Sequence, residues 1–176
     1  MNEAMLKYVD RIEAGLEALV PQMEERVPQL GEMPALLAKS MRYSLLAGGK
    51  RVRPSMLIGA VEMLGGPMDQ AVLPACALEM IHTYSLIHDD LPGMDNDSMR
   101  RGRPTSHVVF GEGQAILAGD GLLSFAFECM LKNALHYPAR ALQHLRAMDE
   151  IARGAGVSGM VGGQCMDLYA EHNEDW

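Results

Sequence analysis

Between His82 and His107 the chain crowds ionisable side chains into one short stretch: Asp89, Asp90, Asp95 and Asp97, then Arg100, Arg101 and Arg103. The residues before Asp89 are largely apolar and read as a helix. The carboxylates therefore stand at or just beyond its C-terminal end. The backbone dipole is negative there, so the acids repel it and one another. A divalent cation removes the conflict, and hard oxygen donors suit Mg²⁺, with Mn²⁺ as a substitute. Pro92 and Gly93 make a turn that lets Asp89, Asp90 and Asp95 fold back onto one metal cluster. The arginines supply the forked donors that fit phosphate. Carboxylates, a metal and arginines side by side suggest a diphosphate site. A calcium loop does not fit, because Met99 and Arg100 fall where an EF-hand needs an oxygen ligand and a glycine.

A second group of cations lies at Gly48-Gly49-Lys50-Arg51-Val52-Arg53-Pro54. Paired glycines let a ligand approach the backbone closely, and Lys50 and Arg53 offer charge. The spacing is not that of a P-loop, which needs an earlier glycine and a Lys-Ser/Thr pair. Without the acidic stretch it would read as a helix C-cap with basic residues near the dipole. His82 stands two turns before Asp89, on nearly the same helical face. His88 faces elsewhere and reads as structural. Asp120 interrupts an apolar helix and so calls for a buried partner. Gln164 and Asp167, three apart, share a face.

Helical spacing runs through most of the chain. Leu6, Val9, Ile12, Leu16 and Leu19 mark a first helix that Pro21 ends, and Gln22 to Met33 is a connection. Pro34 opens a second helix with a stripe of Leu36, Leu37, Met41, Leu45 and Leu46, stopped by Gly48-Gly49. Pro54 opens a third that runs to Leu64. Met68 to Leu91 is the fourth, apolar on most sides, with Pro74 as an early-turn proline or a kink, and belongs at the centre of a bundle. A loop spans Pro92 to Val109. Further helices follow over Gly111 to Leu135, Ala139 to Arg153 and Val157 to Ala170. No strand-like alternation persists. The pattern predicts an all-α protein of roughly seven helices in one domain.

The chain has 176 residues, 48% of them hydrophobic but only 5% aromatic, with fifteen Met as core filler; that favours packed helices over a β-sandwich. A net charge of −8 argues against nucleic acid as a partner. Cys76, Cys129 and Cys165 have neither paired nor metal-ligand spacing, which suggests reduced thiols and a cytoplasmic protein. No N-terminal stretch has the pattern of a secretory signal. No run is long and apolar enough to span a membrane, since Asp120 breaks the longest candidate, Ala115 to Phe127.

Together these residues resemble the trans-isoprenyl diphosphate synthases. Gly48 to Pro54 looks like the family's GGKRxRP motif. Asp89, Asp90 and Asp95 with Arg100-Arg101-Gly102 look like its first aspartate-rich motif in bacterial form. Ala118-Gly119-Asp120 resembles the helix that follows, and Gly162-Gly163-Gln164 with Asp167 resembles the GGQxxD segment. The nearest form is the bacterial farnesyl diphosphate synthase. Ser98 departs from the pattern, standing where many relatives have another Asp. A second aspartate-rich motif and a Lys-Thr pair, expected downstream, do not occur before Trp176. The chain thus looks like the N-terminal portion of a longer enzyme, with negligible synthase activity expected of it alone.

The resemblance implies an antiparallel helical bundle around a central substrate cavity, incomplete at the C-terminus. It implies Mg²⁺-dependent condensation of isopentenyl diphosphate with an allylic diphosphate. Asp89 and Asp95 would bind Mg²⁺ bridging to the allylic diphosphate, with Asp90 assisting and Arg100 touching the same group. Lys50, Arg53, His82 and Arg101 would hold isopentenyl diphosphate. Gln164 and Asp167 would line the allylic side. A homodimer is expected. A non-catalytic subunit pairing with a full-length synthase is the alternative, and a terpene cyclase is disfavoured because it has no isopentenyl diphosphate for Gly48 to Pro54 to hold.

Product length is expected to rest on Tyr84. It lies five residues before Asp89, roughly 7.5 Å along a helix axis. Ser85 lies nearly on the face of Asp89 and Tyr84 flanks it, so the ring can floor a prenyl channel. In the family an aromatic residue here accompanies short products, which implies farnesyl rather than geranylgeranyl diphosphate.

Overall fold

A computed structural model describes residues 3–20, 32–171 and 173. The chain is all-α. Its helices are α1 (Glu3–Leu19), α2 (Ala35–Leu45), α3 (Val52–Met63), α4 (Asp69–Asp89), the five-residue α5 (Ser106–Phe110), α6 (Glu112–His136), α7 (Ala141–Ala155) and α8 (Met160–Glu171), with a 3₁₀ turn at Pro138–Arg140. One pairing of strands was not expected: β1 (Met99–Arg100) runs antiparallel to β2 (Arg103–Pro104). Two residues are too few for alternation to show in a sequence. The expected stop at Pro21 and most of the connection Gln22 to Met33 lie outside the described residues.

Where the sequence reads as one domain, contacts divide the chain into two compact units, Met1–Cys129 and Met130–Trp176. In the first unit α4 packs against α1, α2 and α3. Ala71, Ala75, Cys76, Ala77, Met80, Ile81, Tyr84 and Ile87 of α4 are all buried, as a helix apolar on most sides requires. Pro74 lies inside α4, which continues through it to Asp89.

Two buried stripes differ from the expected ones. Along α1 the core residues are Ile12 and Leu16, followed by Val20 just beyond its end, four apart, while Leu6 is exposed. On α2 they are Ala38, Met41 and Leu45, and Leu36 is 53% exposed. Both are faces of a 3.6-residue helix; Leu36, two residues before Ala38, falls on nearly the opposite side of α2. Helix α3 begins two residues before Pro54, at Val52, because Arg51 adopts the left-handed conformation (φ 47) and turns the chain there.

Helix α6 also corrects an expectation. Over 25 residues it is long and apolar enough, by length and composition, to cross a membrane. Its Ala115, Ala118, Leu122 and Ala126 are buried, while Ile116, Leu117, Leu131 and Leu135 are exposed. In the second unit, Asn133 Nδ2 of α6 lies 3.1 Å from His144 Nδ1 of α7, joining the two helices.

Candidate functional site

Asp89 is the last residue of α4 and Asp90 its C-cap. The chain beyond folds back at once. Asn96 N donates to the Leu91 carbonyl at 3.1 Å with φ 55, and Asp95 N donates to the Asp89 carbonyl at 2.9 Å. That bond returns Asp95 to the helix end, beside Asp89. Burial, then the charge of Asp95, raise the Asp89 carboxyl above the usual carboxylate range. Among the described residues no three of His, Cys, Asp or Glu converge to hold a metal. Two hard carboxylates whose charges conflict fit a divalent cation that takes its remaining oxygens from water and a phosphate, as Mg²⁺ does.

Asp90 takes a different position. It is buried, and its carboxylate accepts from Arg100: Nε to Oδ1 at 2.8 Å and to Oδ2 at 3.0 Å, and Nη2 to Oδ1 at 2.7 Å. Its carboxyl is nevertheless raised, because burial outweighs the Arg100 cation. Asp97 Oδ2 stands 3.8 Å from the same Arg100 Nη2. In this arrangement Asp90 orients Arg100 and does not face Asp89 and Asp95 as a third ligand. The expected threefold cluster is therefore a pair.

The strand pairing explains how the arginines diverge. Arg100 pairs with Arg103, and the two turn residues, Arg101 (φ 53) and Gly102 (φ 74), both have positive φ. That is the tight hairpin turn that suits twisted strands. It holds Arg100 on Asp90 and throws Arg101 the other way. Arg101 Nη1 donates to the Gly48 carbonyl, and its guanidinium covers Gly49, where any Cβ would fall 2.8 Å from Nη1. Gly49 is needed for that approach. Arg103 stacks over the Tyr43 ring, 4.4 Å from its centroid, and so leaves the anion site.

Lys50, Arg53, His82 and Arg101 come together. With Ala47, Gly49, Arg51, Val52 and Glu79 they line a cleft of about 470 Å³. Lys50, Arg53 and Arg101 are exposed and His82 is half-buried. Burial, then the Arg53 cation, hold the His82 imidazole below its ordinary range; Glu79 opposes them, and Arg101 and Arg100 add to the lowering. Four groups able to donate hydrogen bonds around an open cleft are chemistry for a polyanion.

Tyr84 is buried, its ring edge-on to His88 with centroids 5.6 Å apart. Burial raises its phenol, and the charge of Asp89 adds to this. Ser85 Oγ is turned back onto the His82 carbonyl at 2.9 Å. Gln164 and Asp167 lie on α8 of the second unit, Gln164 half-buried and Asp167 exposed.

One acidic residue departs from its expectation, and another was missed. Asp120 was expected to need a buried partner, yet its side chain is 58% exposed, 3.8 Å from His88 Nε2. Glu79 is the buried one, 3% exposed and paired with Arg51. A lone carboxylate in the apolar run Ala75–Leu86, three residues before His82, was the available signal. His88, read as structural, bridges α4 and α6: the Ile116 carbonyl accepts from its Nε2 at 3.2 Å.

The polyprenyl synthetase family model matches residues 34–176. The chain is 51% identical, over 142 residues, to a geranylgeranyl diphosphate synthase of Cyanophora paradoxa, covering 81% of this chain and 47% of that one. It is 47% identical, over 166 residues, to a farnesyl diphosphate synthase of Geobacillus stearothermophilus, covering 94% of this chain and 54% of that one. A solved structure of an FPP/GFPP synthase from Zymomonas mobilis superposes with a TM-score of 0.85 at 36% identity, covering 96% of this chain and 58% of the other. The chain spans about half the length of the curated relatives it matches.

Proposed function

The chain belongs to the polyprenyl synthetase family, and from that premise we propose that it carries the diphosphate-handling half of a prenyl elongation site. The reaction joins isopentenyl diphosphate to an allylic diphosphate. The allylic C–O bond breaks, the double bond of isopentenyl diphosphate attacks the resulting cation, and a proton leaves. The demand on the protein is to hold two diphosphates apart while one becomes a leaving group.

One observation carries the reading. Arg100 is bound to Asp90 at the acid turn, and the next residue, Arg101, lies on Gly48 and Gly49 of the cationic loop. A single hairpin turn therefore sets an acid pair beside a four-donor cleft. Lys50, Arg53, His82 and Arg101 hold the diphosphate of isopentenyl diphosphate, which is never released. Asp89 and Asp95 would hold Mg²⁺, which would supply positive charge to offset that of a leaving diphosphate. Arg100, oriented by Asp90, adds donors at the same group. The apolar faces of the helices exclude water from the cation.

Farnesyl diphosphate is the product this reading favours, supported by the buried Tyr84 ring five residues before Asp89. Geranylgeranyl diphosphate is the second reading, favoured by the 51% identity to a relative of that name. We further propose a homodimer, supported by exposed Ile116 and Leu117 on α6, and a cytoplasmic location, supported by three cysteines without paired spacing. Calorimetric titration with inorganic pyrophosphate, with and without Mg²⁺, tests the site. Mg²⁺ should tighten binding in the unaltered chain and have no effect in Asp89→Ala/Asp95→Ala. An undiminished Mg²⁺ effect in that double variant would overturn the assignment.

A further inference from the structure

Arg51 sits in the cationic loop but does not serve the cleft as a cation. Its side chain is wholly buried, while Lys50, Val52 and Arg53 on either side are exposed. Its guanidinium meets three helical elements. Nε donates to Glu13 Oε1 of α1 at 2.6 Å, Nη1 to Glu79 Oε1 of α4 at 2.7 Å, and Nη2 to the carbonyl of Leu45, the last residue of α2, at 2.9 Å. The left-handed backbone at Arg51 turns this side chain inward while its neighbours stay outside. That conformation is disfavoured for any residue with a Cβ, so the partners must hold it.

We propose that Arg51, with Glu13 and Glu79, is the positioning unit of the diphosphate cleft, fixing the loop so that Lys50 and Arg53 face one ligand. This deepens the reading of the cleft given above and rests on it. Stability alone does not account for the arrangement, because a buried ion pair is commonly matched by an apolar substitute. The location does. Glu79 lines the cleft one turn before His82, where an unpaired carboxylate would repel a diphosphate. Arg51 offsets that charge and, in the same contact, ties the loop to α1, α2 and α4. Lysine cannot replace it, because one ammonium cannot span three partners in a fixed fork.

The test is pyrophosphate binding by the chain in chelator, where Mg²⁺ cannot recruit the acid pair. Arg51→Lys keeps the charge and loses the fork. It should weaken Mg²⁺-free binding on the order of tenfold, while the Mg²⁺-dependent increment carried by Asp89 and Asp95 persists. A general loss of structure would reduce both. Glu79→Gln gives a sign test that holds even if Arg51→Lys does not fold. With one carboxylate fewer in the wall, a site governed by charge alone binds more tightly; a site that depends on the lock binds more weakly. Unchanged or tighter binding in Glu79→Gln, or unaltered affinity in folded Arg51→Lys, overturns the proposal. Failure of the unaltered chain to bind pyrophosphate would instead sink the reading of the cleft, and the positioning unit with it.

Discussion

Gly119 offers a perturbation whose sign follows from geometry. It is buried on α6, facing His88 of α4. An ideal Cβ there falls 2.5 Å from His88 Cδ2 and nearer still to Nε2, at least 0.9 Å inside ordinary contact, which begins at 3.4 Å. Two effects compete in Gly119→Ala. Alanine favours the helix by about 0.8–1 kcal/mol over glycine. Against that, the His88 ring must move. It is held by the Ile116 carbonyl at 3.2 Å and by the Tyr84 ring edge at 5.6 Å between centroids. Overfilling a packed contact costs about 1–3 kcal/mol, and losing the hydrogen bond adds about 0.5–1.5 kcal/mol. The clash wins, leaving a net destabilisation of about 0.5–3.7 kcal/mol, or about 1–15 °C in Tm by calorimetry. Gly113→Ala, in the same helix but with open space around it, should not lower Tm. Removing the ring should relieve the clash, so Gly119→Ala costs less in a His88→Ala background than in the unaltered chain. A Gly119→Ala protein as stable as the original, or strictly additive costs in the double variant, would refute the wedge. The same displacement reaches the Tyr84 ring, so a change in product distribution should accompany it in an active enzyme.

Three further outcomes follow from the site. The His82 imidazole should titrate below its ordinary 6.5, followed by proton NMR, and move up when pyrophosphate supplies negative charge; an unmoved midpoint would remove it from the cleft. Because the folded state lowers this value, its contribution to stability is present above the ordinary value and is lost as pH falls through the lowered one. Among the thiols, exposed Cys165 should react readily with a disulfide reagent in the folded chain, while buried Cys76, pushed up to about 12, should stay a thiol and react only on unfolding. In the active enzyme, Tyr84→Ala should lengthen the product from farnesyl toward geranylgeranyl diphosphate by chromatography after dephosphorylation; an unaltered distribution would place the floor elsewhere.

Glu79 and Asp120 show where legibility in the sequence ends. Each is an acid in an apolar helix, and composition treats them alike. Packing separates them: Glu79 projects from α4 toward Arg51, whereas Asp120 is exposed on α6. The partner Arg51 lies twenty-eight residues from Glu79 and thirty-eight from Glu13, so no local spacing announces either pair. Within Lys50-Arg51-Val52-Arg53 the sequence offers Lys50 and Arg53 to a ligand but names no partner for Arg51, which a left-handed backbone and distant carboxylates bury. The same limit applies to Asp90, whose Arg100 partner depends on a hairpin two residues long on each side. What can be read beforehand are contacts set by helical period and by charge at a helix end: the central position of α4, and the pairing of Asp89 with Asp95. Those are local consequences of backbone geometry and dipole. The division of labour among neighbouring cations is tertiary, and it is there that the cleft acquires its shape.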